Sequence, residues 1–329
     1  MPAEWEPHAA TWLAWPHEKT DWPGKFAPIA WVYGEIVRHL SRTERVRILV
    51  PDRDTEERAR RVLAKSGADA AAVEFIHHRT NRSWTRDYGP LFVKNRTGEV
   101  AVTNWRFNGW AKYGNWREDD AASDVLAKQL KLRQWKPGVV LEGGSIDVNG
   151  RGLLLTTEEC LLSNVQARNP ELERPELERM LRDYLGVREV IWLKNGIAGD
   201  DTHGHVDDVA RFVSPGTVVI AAESRPGEAN YAPLRENLAI LRARRDLRVV
   251  KLPMPEPVYF DGQRLPASYA NFYIANRLVL MPTFNDAHDR VALNTLARVF
   301  PDREVVGIHS VDLVLGLGTL HCMTQQQPA

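Results

Sequence analysis

The sequence predicts an α/β chain built as a radial, pseudo-symmetric assembly of five ββαβ units, a propeller-like single domain over residues 1–329. Three observations carry that expectation. A strand, short turn, strand pattern recurs four times, each hairpin is followed by a helix-like stretch, and each helix is followed by one more short apolar strand. Repetition at this scale is the mark of units that bury their apolar faces against one another.

The four hairpins are "GPLFVKNRTGEVAVTNW" (89–105), "GSIDVNGRGLLLTT" (144–157), "DVARFVSPGTVVIAA" (208–222) and "NFYIANRLVLMPT" (271–283). Asn-Gly, Pro-Gly and Ala-Asn-Arg fall at turns, where the backbone needs residues that tolerate a tight reversal. The helix-like stretches are 119–132, 170–185, 230–244 and 287–299. In "PELERPELERMLRDYL" the apolar spacing and charge pairing are those of an amphipathic helix, with Pro170 suited to the first turn. The closing strands are "GVVL", "REVIWL", "LRVVKL" and "REVVGI". At the N-terminus, "ATWLAW", "VRILV" and "VEFIHH" read as single strands with two helices between them. This part lacks a leading hairpin. The C-terminal segment around Cys322, paired with "ATWLAW", would supply it and close a ring.

Bulk properties narrow the function classes. With 43 basic and 43 acidic residues the formal charge is zero, and no basic run interleaves with aromatics, so no nucleic-acid partner is expected. No apolar run reaches the ~18 residues of a membrane span, and "MPAEWEPHAATW" has neither the basic nor the apolar region of a secretory signal. Two cysteines make no disulfide framework. A soluble cytoplasmic protein with two reduced thiols is the expectation.

A polar loop lies just before each hairpin: "WTRDYGP", "LEGGS", "GDDTHGHVDD", "LPASYAN" and "LHCMT". In a ring of equivalent units equivalent loops meet near the axis, which would bring Cys322 to Asp87, Glu142, His205 and Asp207. Cys160, in "LLLTTEECLLS", reads as a small buried hydrophobe. Cys322 differs, because His321 and a Thr-Gln-Gln run flank it, and a nucleophilic thiolate needs polar or positive surroundings. The segment 199–208 carries two histidines and four aspartates. Its His203-x-His205-x-Asp207 spacing offers metal ligands on one face of an extended strand, although only isolated histidines such as His288 or His309 are left to complete a zinc site. A solvated loop is the plainer alternative.

Carboxylates beside a thiol raise its pKa, so such a set makes sense when the substrate is itself a cation. A guanidinium is planar and always charged, and it offers N–H pairs that carboxylates accept bidentately. Once bound, it lowers the thiol pKa beside it, and sulfur can attack the guanidinium carbon.

"MPAEWEPHAATWLAWPH", "WTRDYGP", "LEGGSIDVNGRGLLLTTEECLL", "GHVDD" and "GTLHCMTQQ" together resemble the agmatine deiminase and bacterial peptidylarginine deiminase family of the guanidino-modifying pentein superfamily, from residue 1 to about 327. The resemblance implies a five-bladed ββαβ propeller, with Cys322 as nucleophile and His205 as general acid/base. Asp87 and Asp207 would bind the guanidinium. Trp84 would line the substrate channel, Glu142, Gly143 and Gly144 would form the glycine-rich loop at the site, and Asp201 would make a further substrate contact. The family often reads Gly-Gly-Asn-Ile-His-Cys where this chain has "GLGTLHC", and "TDGH" where it has "DTHGH". Both departures bear on contacts to the far end of the substrate. The implied reaction is hydrolysis of agmatine, a small cationic guanidino compound, to N-carbamoylputrescine and ammonia, within putrescine biosynthesis. No metal and no cofactor are expected, and a homodimer is allowed. The rivals are deimination of free or peptidyl arginine, a metal-dependent amidohydrolase using His203, His205 and Asp207, and a binding module that holds cations without turning them over.

Overall fold

The computed structural model describes all of residues 1–329. The chain opens with β1 (His8–Ala14), α1 (Phe26–Leu40), β2 (Arg45–Val50), α2 (Arg53–Ser66) and β3 (Val73–His77). A short helix, α3 (Thr85–Tyr88), leads into β4 (Leu91–Lys94), β5 (Val100–Thr103), α4 (Arg117–Gln129) and β6 (Gln134–Trp135). Then come β7 (Asp147–Val148), β8 (Leu153–Thr157), α5 (Glu158–Leu162), α6 (Arg174–Leu185) and β9 (Glu189–Leu193). They are followed by β10 (Ala210–Ser214), β11 (Thr217–Ala222), α7 (Tyr231–Arg242) and β12 (Arg248–Pro253). A small hairpin, β13 (Tyr259–Phe260) and β14 (Gln263–Arg264), precedes β15 (Tyr273–Ile274), β16 (Leu278–Thr283), α8 (Ala287–Val299), β17 (Glu304–His309) and β18 (Gln325–Pro328).

One pairing rule recurs. In β4-β5-β6, β7-β8-β9, β10-β11-β12 and β15-β16-β17 the first two strands are antiparallel, and the second and third are parallel across a helix. The fifth sheet, β18-β1-β2-β3, is assembled from both ends of the sequence. Strand β18 pairs antiparallel with β1, which runs parallel to β2, and β3 adds a fourth strand. The hairpin missing from the N-terminal part is therefore supplied by the segment after Cys322. The result is a mixed α/β fold of separate open sheets. No helix is long and apolar enough to cross a membrane.

Local chemistry explains the helix ends. Asp52 accepts from Thr55 N at 2.7 Å to cap α2, a bond that satisfies one of the free N–H groups of a first turn. Gly67 ends that helix at φ 76°, a left-handed conformation that glycine adopts without a Cβ penalty. The second helix-like stretch of the sequence starts later than its composition suggests. Glu173 and Glu176 form a reciprocal cap, so α6 begins at Arg174 with Pro175 in its first turn, and Pro170 lies outside it. The strand expected at "GVVL" is also displaced. Gln134–Trp135 pair with β5, while Val140 makes only an isolated bridge to Arg106. The β13–β14 hairpin was not anticipated, although Asp261 and Gly262 both take positive φ, the Asp-Gly signature of a tight hairpin turn.

The largest apolar core joins β1, β2 and α1 to β15, β16 and α8, and it includes Leu313, Val314, Leu320, Cys322 and Met323. Each fully buried Leu or Val contributes roughly 1.5–3 kcal/mol. Trp22 is fully buried and donates its indole N–H to Leu313 O at 2.9 Å. The segment bearing Cys322 is thus held from below by apolar packing and from behind by β18.

Candidate active site

The five loops that precede the antiparallel strand pairs meet in one buried cluster. Trp84, Arg86 and Asp87 come from the turn before β4, and Glu142 to Ser145 from the turn before β7. His205, Asp207 and Asp208 precede β10, Ser268 and Asn271 precede β15, and Cys322 precedes β18. Cross-loop hydrogen bonds tie them together. Arg86 N donates to Cys322 O at 3.1 Å, Gly144 N to Asp87 Oδ1 at 3.0 Å, and Ser268 Oγ to Asp208 O at 2.7 Å.

Cys322 is buried, and its thiol is approached by the Asn271 side-chain amide at 3.1 Å and by Asp207 Oδ2 at 3.7 Å. Burial, with the carboxylates of Asp207, Asp208 and Asp87 around it, pushes this thiol well above its ordinary range.

His205 is buried, with carboxylates on both sides of its ring. Nδ1 lies 3.8 Å from Asp87 Oδ1 and 4.0 Å from Asp207 Oδ1, and Nε2 lies 3.8 Å from Glu142 Oε2. Neither ring nitrogen has a hydrogen-bond partner, nor have Glu142 Oε2 and Asp207 Oδ1. Burial alone would lower the imidazole pKa, but Asp87, contact with Cys160 and Glu142 outweigh it and hold the ring well above its usual range. The carboxylates diverge in turn. Burial, aided by Asp207 and Glu142, pushes Asp87 up to about 6. For Asp207 burial is overcome by the hydrogen bond and charge of His321, and its pKa is lowered. Glu142, buried against Arg168 at 3.0 Å, is lowered to about 2, because that ion pair and His205 outweigh its burial.

Gly144 sits at the centre of the set. A Cβ there would fall 2.6 Å from His205 Nδ1, 2.8 Å from Asp87 Oδ1 and 3.1 Å from Asp207 Oδ2. A cavity of about 400 Å3 reaches down to Asp87 and Cys322 between the indoles of Trp84 and Trp110. Trp110 Nε1 donates to Asp87 Oδ2 at 2.9 Å, and Trp84 packs on Trp22. Higher on the wall stand Asp21, paired with Arg82, and Asp201, which accepts from Tyr113 Oη at 2.7 Å and is paired with Lys112.

All nine residues singled out in the sequence lie in or beside this site, but not all on its surface. Trp84, Asp87, Asp201 and Cys322 line the cavity. Glu142 instead stands behind the His205 ring, and Gly143 packs against Arg86. The metal-ligand reading of 203–207 fails on backbone geometry. His203 has φ 61° and Gly204 φ 97°, while Val206–Asp208 form a 3-10 turn, so the residues do not alternate on an extended face. His203 turns to Ser163 Oγ at 3.2 Å. Asp200 folds this loop, accepting from Thr202 N, Gly204 N and His205 N. Cys160 is buried as expected, but its sulfur shares a neighbourhood with His205 and Glu142, their ligating atoms all within 4.8 Å of one another. Asn271 and Trp110 were missed. Asn271 closes the "LPASYAN" loop and was recoverable from repeat position, whereas nothing local marks Trp110.

The chain matches the model of the Porphyromonas-type peptidyl-arginine deiminase family over residues 1–328. It is 37% identical to an agmatine deiminase of Pseudomonas aeruginosa (strain LESB58), covering 100% of this chain and 95% of that protein. The agmatine deiminase of Stutzerimonas stutzeri (strain A1501) is 36% identical with the same coverage. Among solved structures, the C. jejuni agmatine deiminase with substrate bound, in a cysteine-to-serine form, superposes with a TM-score of 0.92 at 30% identity, covering 100% of this chain and 96% of that one. The Enterococcus faecalis agmatine deiminase gives 0.93 at 32%, covering 100% and 95%. An amidinotransferase from Microseira wollei shares the fold at a TM-score of 0.54 and 12% identity.

Proposed function

We infer the reaction from two premises: the chain belongs to the Porphyromonas-type peptidyl-arginine deiminase family, and its site is a buried thiol among carboxylates. It is a hydrolase of linear amidine C–N bonds, and it converts agmatine to N-carbamoylputrescine and ammonia. The observation that carries the mechanism is the grouping of Cys322 Sγ with Asp207 and Asp208 oxygens within 4.8 Å, where Asp207 Oδ1 has no protein donor. A planar cation with paired N–H groups satisfies such acceptors, and its charge makes the thiol ionisable.

In the proposed course, Asp87 and Asp207 hold the guanidinium and the Cys322 thiolate attacks its carbon. His205 protonates the departing nitrogen, ammonia leaves, and an amidino-cysteine remains. The same imidazole then takes a proton from water attacking that carbon, and the tetrahedral adduct collapses to the ureido product with return of the thiolate. Glu142, held by Arg168, keeps His205 oriented from behind. The five sheets are read as blades of one propeller, with residues 1–329 acting as one deiminase unit. Convergence of the five loops supports that reading. Two unpaired cysteines support a reducing, cytoplasmic setting.

Acids on the upper wall, Asp21, Asp201 and Asp261, favour a substrate with a second cation. Asp201 is the proposed partner of the agmatine amine. The basic side chains at this wall are already paired, Arg82 with Asp21 and Lys112 with Asp201, whereas Arg86 is buried against Glu4. Arginine, with a carboxylate beside its amine, meets repulsion here. Ammonia release should favour agmatine over arginine by at least ~100-fold in kcat/KM, which corresponds to about 2.7 kcal/mol. Cys322→Ser should abolish it. Comparable rates on arginine, or activity retained without the thiol, would overturn the reading.

A further inference from the structure

The N-terminal motif "PAEWEPH" has no part in the chemistry described so far, yet it delivers a buried carboxylate to the rear of the site. Glu4 Oε2 accepts from His321 Nε2 at 2.8 Å and from Arg86 Nη2 at 3.0 Å. Its Oε1 accepts from Ile274 N at 2.8 Å, and Arg211 Nη2 stands 2.9 Å away. On the other side of the imidazole, His321 Nδ1 lies 2.7 Å from Asp207 Oδ2. Carboxylates only accept, so both contacts of the ring are hydrogen bonds only when both its nitrogens carry hydrogen. Arg86 closes the assembly, with Nε donating to His321 O at 3.2 Å and its backbone N to Cys322 O.

We propose that Glu4 is a positioning residue of the site: through His321 it fixes the Asp207 carboxylate in the orientation and ionised state that clamp the guanidinium. The inference rests on the reading of Asp207 as part of that clamp. Loss of the Glu4 charge weakens the His321–Asp207 bond, and a less well-bonded Asp207 takes up its proton at higher pH. The other groups facing Asp207 are His205 and Arg211, which favour its ionised form, and Asp87, Asp208 and the Cys322 thiol. Of these, Arg211 alone also touches Glu4, and it stays charged when that partner is lost. Arg211 is itself shared with Asp147, 3.3 Å from its Nε.

The test compares Glu4→Gln and His321→Asn with the unmodified protein. Asparagine keeps a donor near the Nδ1 position but cannot reach Glu4. Two readouts are taken: kcat/KM against pH, and agmatine affinity by calorimetry in the Cys322→Ser background. Each variant should lose about 10- to 100-fold in kcat/KM at neutral pH, by analogy with groups that orient the ligands of a metal ion. The acid limb should move to higher pH, agmatine should bind more weakly, and the double variant should be no worse than His321→Asn alone. Unchanged affinity and an unchanged acid limb would overturn the proposal, whatever happens to the melting temperature. Should Glu4→Gln not fold, His321→Asn, which leaves Glu4 with its arginines and Ile274 N, decides by the same two readouts. Asp207→Asn separates the premises. A variant at full rate removes the clamp itself, whereas an inactive one beside a normal Glu4→Gln removes only this inference.

Discussion

Asn271 grips both the nucleophile and the turn that presents it. Its side-chain amide lies 3.1 Å from the Cys322 sulfur, while its side-chain oxygen accepts from Thr319 Oγ1 at 2.8 Å and His321 N at 3.0 Å. Asn271→Ala should leave buried donors unmatched and cost about 1–3 kcal/mol in urea unfolding. Asn271→Asp should be milder on stability but harsher on rate, because another carboxylate beside the thiol raises its pKa further. Iodoacetamide alkylation of Cys322 followed against pH checks this, and an Asp variant that alkylates as fast as the parent would refute it.

Asp87 makes the site a stability cost at neutral pH. Its pKa rises to about 6 in the fold from 3.8, chiefly through burial. A carboxyl that binds its proton more tightly when folded contributes stability below pH 4, and that contribution fades as pH climbs through about 6. Relative to Asp87→Asn, the parent protein should lose on the order of 1–3 kcal/mol between pH 4 and 7. The absolute offset depends on whether Trp110 or Gly144 loses its acceptor. In the same window kcat/KM of the parent should fall as pH drops below about 6, since a protonated Asp87 cannot clamp a cation.

Gly144→Ala should cost roughly 100-fold or more in kcat, the scale of an ångström-sized misplacement of reacting groups. The added methyl would meet His205 Nδ1 and Asp87 Oδ1 inside contact distance. Gly114→Ala is the control, because a Cβ there meets nothing within 4 Å. Steady-state ammonia release on both decides it, and equal rates would mean that the His205–Asp87 spacing does not matter.

Dialysis against a chelator should leave activity intact, since each proposed step uses protein groups and water alone. Besides Asp207, Asp208 and Cys322, the donors nearest a metal set are Glu142, Cys160 and His205, and Glu142 already answers to Arg168. Stoichiometric zinc whose removal abolishes turnover would instead favour a metallohydrolase. Cys160→Ser should keep catalysis within about tenfold but shift its pH profile, because the sulfur lies within 4.8 Å of an imidazole nitrogen.

Much of this was legible beforehand, for a specific reason. Turn residues and period-two strands repeat in every unit, so repeat position alone placed Asp87, Glu142, His205, Asp207 and Cys322 together. What escaped was whatever depends on backbone conformation inside a loop. The positive φ of His203 and Gly204 breaks the alternation that suggested a metal face. Likewise, the approach of Trp110 to Asp87 follows from a positive φ at Trp110 and Ala111. Glu173 capping α6 in preference to Pro170 is a similar local choice that composition alone does not rank.

Strand β18 lying on β1 has a bearing on how the protein is made. Trp12 and Gln327, bonded side by side, are 315 residues apart in sequence. A ribosome that has delivered β1 must emit the whole intervening chain before its antiparallel neighbour appears. Until then one edge of that strand stays unpaired, the kind of edge that invites pairing with other chains. Contacts of such sequence separation also close slowly. Nascent chains should therefore be catalytically silent until Cys322 has left the exit tunnel, and holdase chaperones should find their chief client surface along the outer edge of β1.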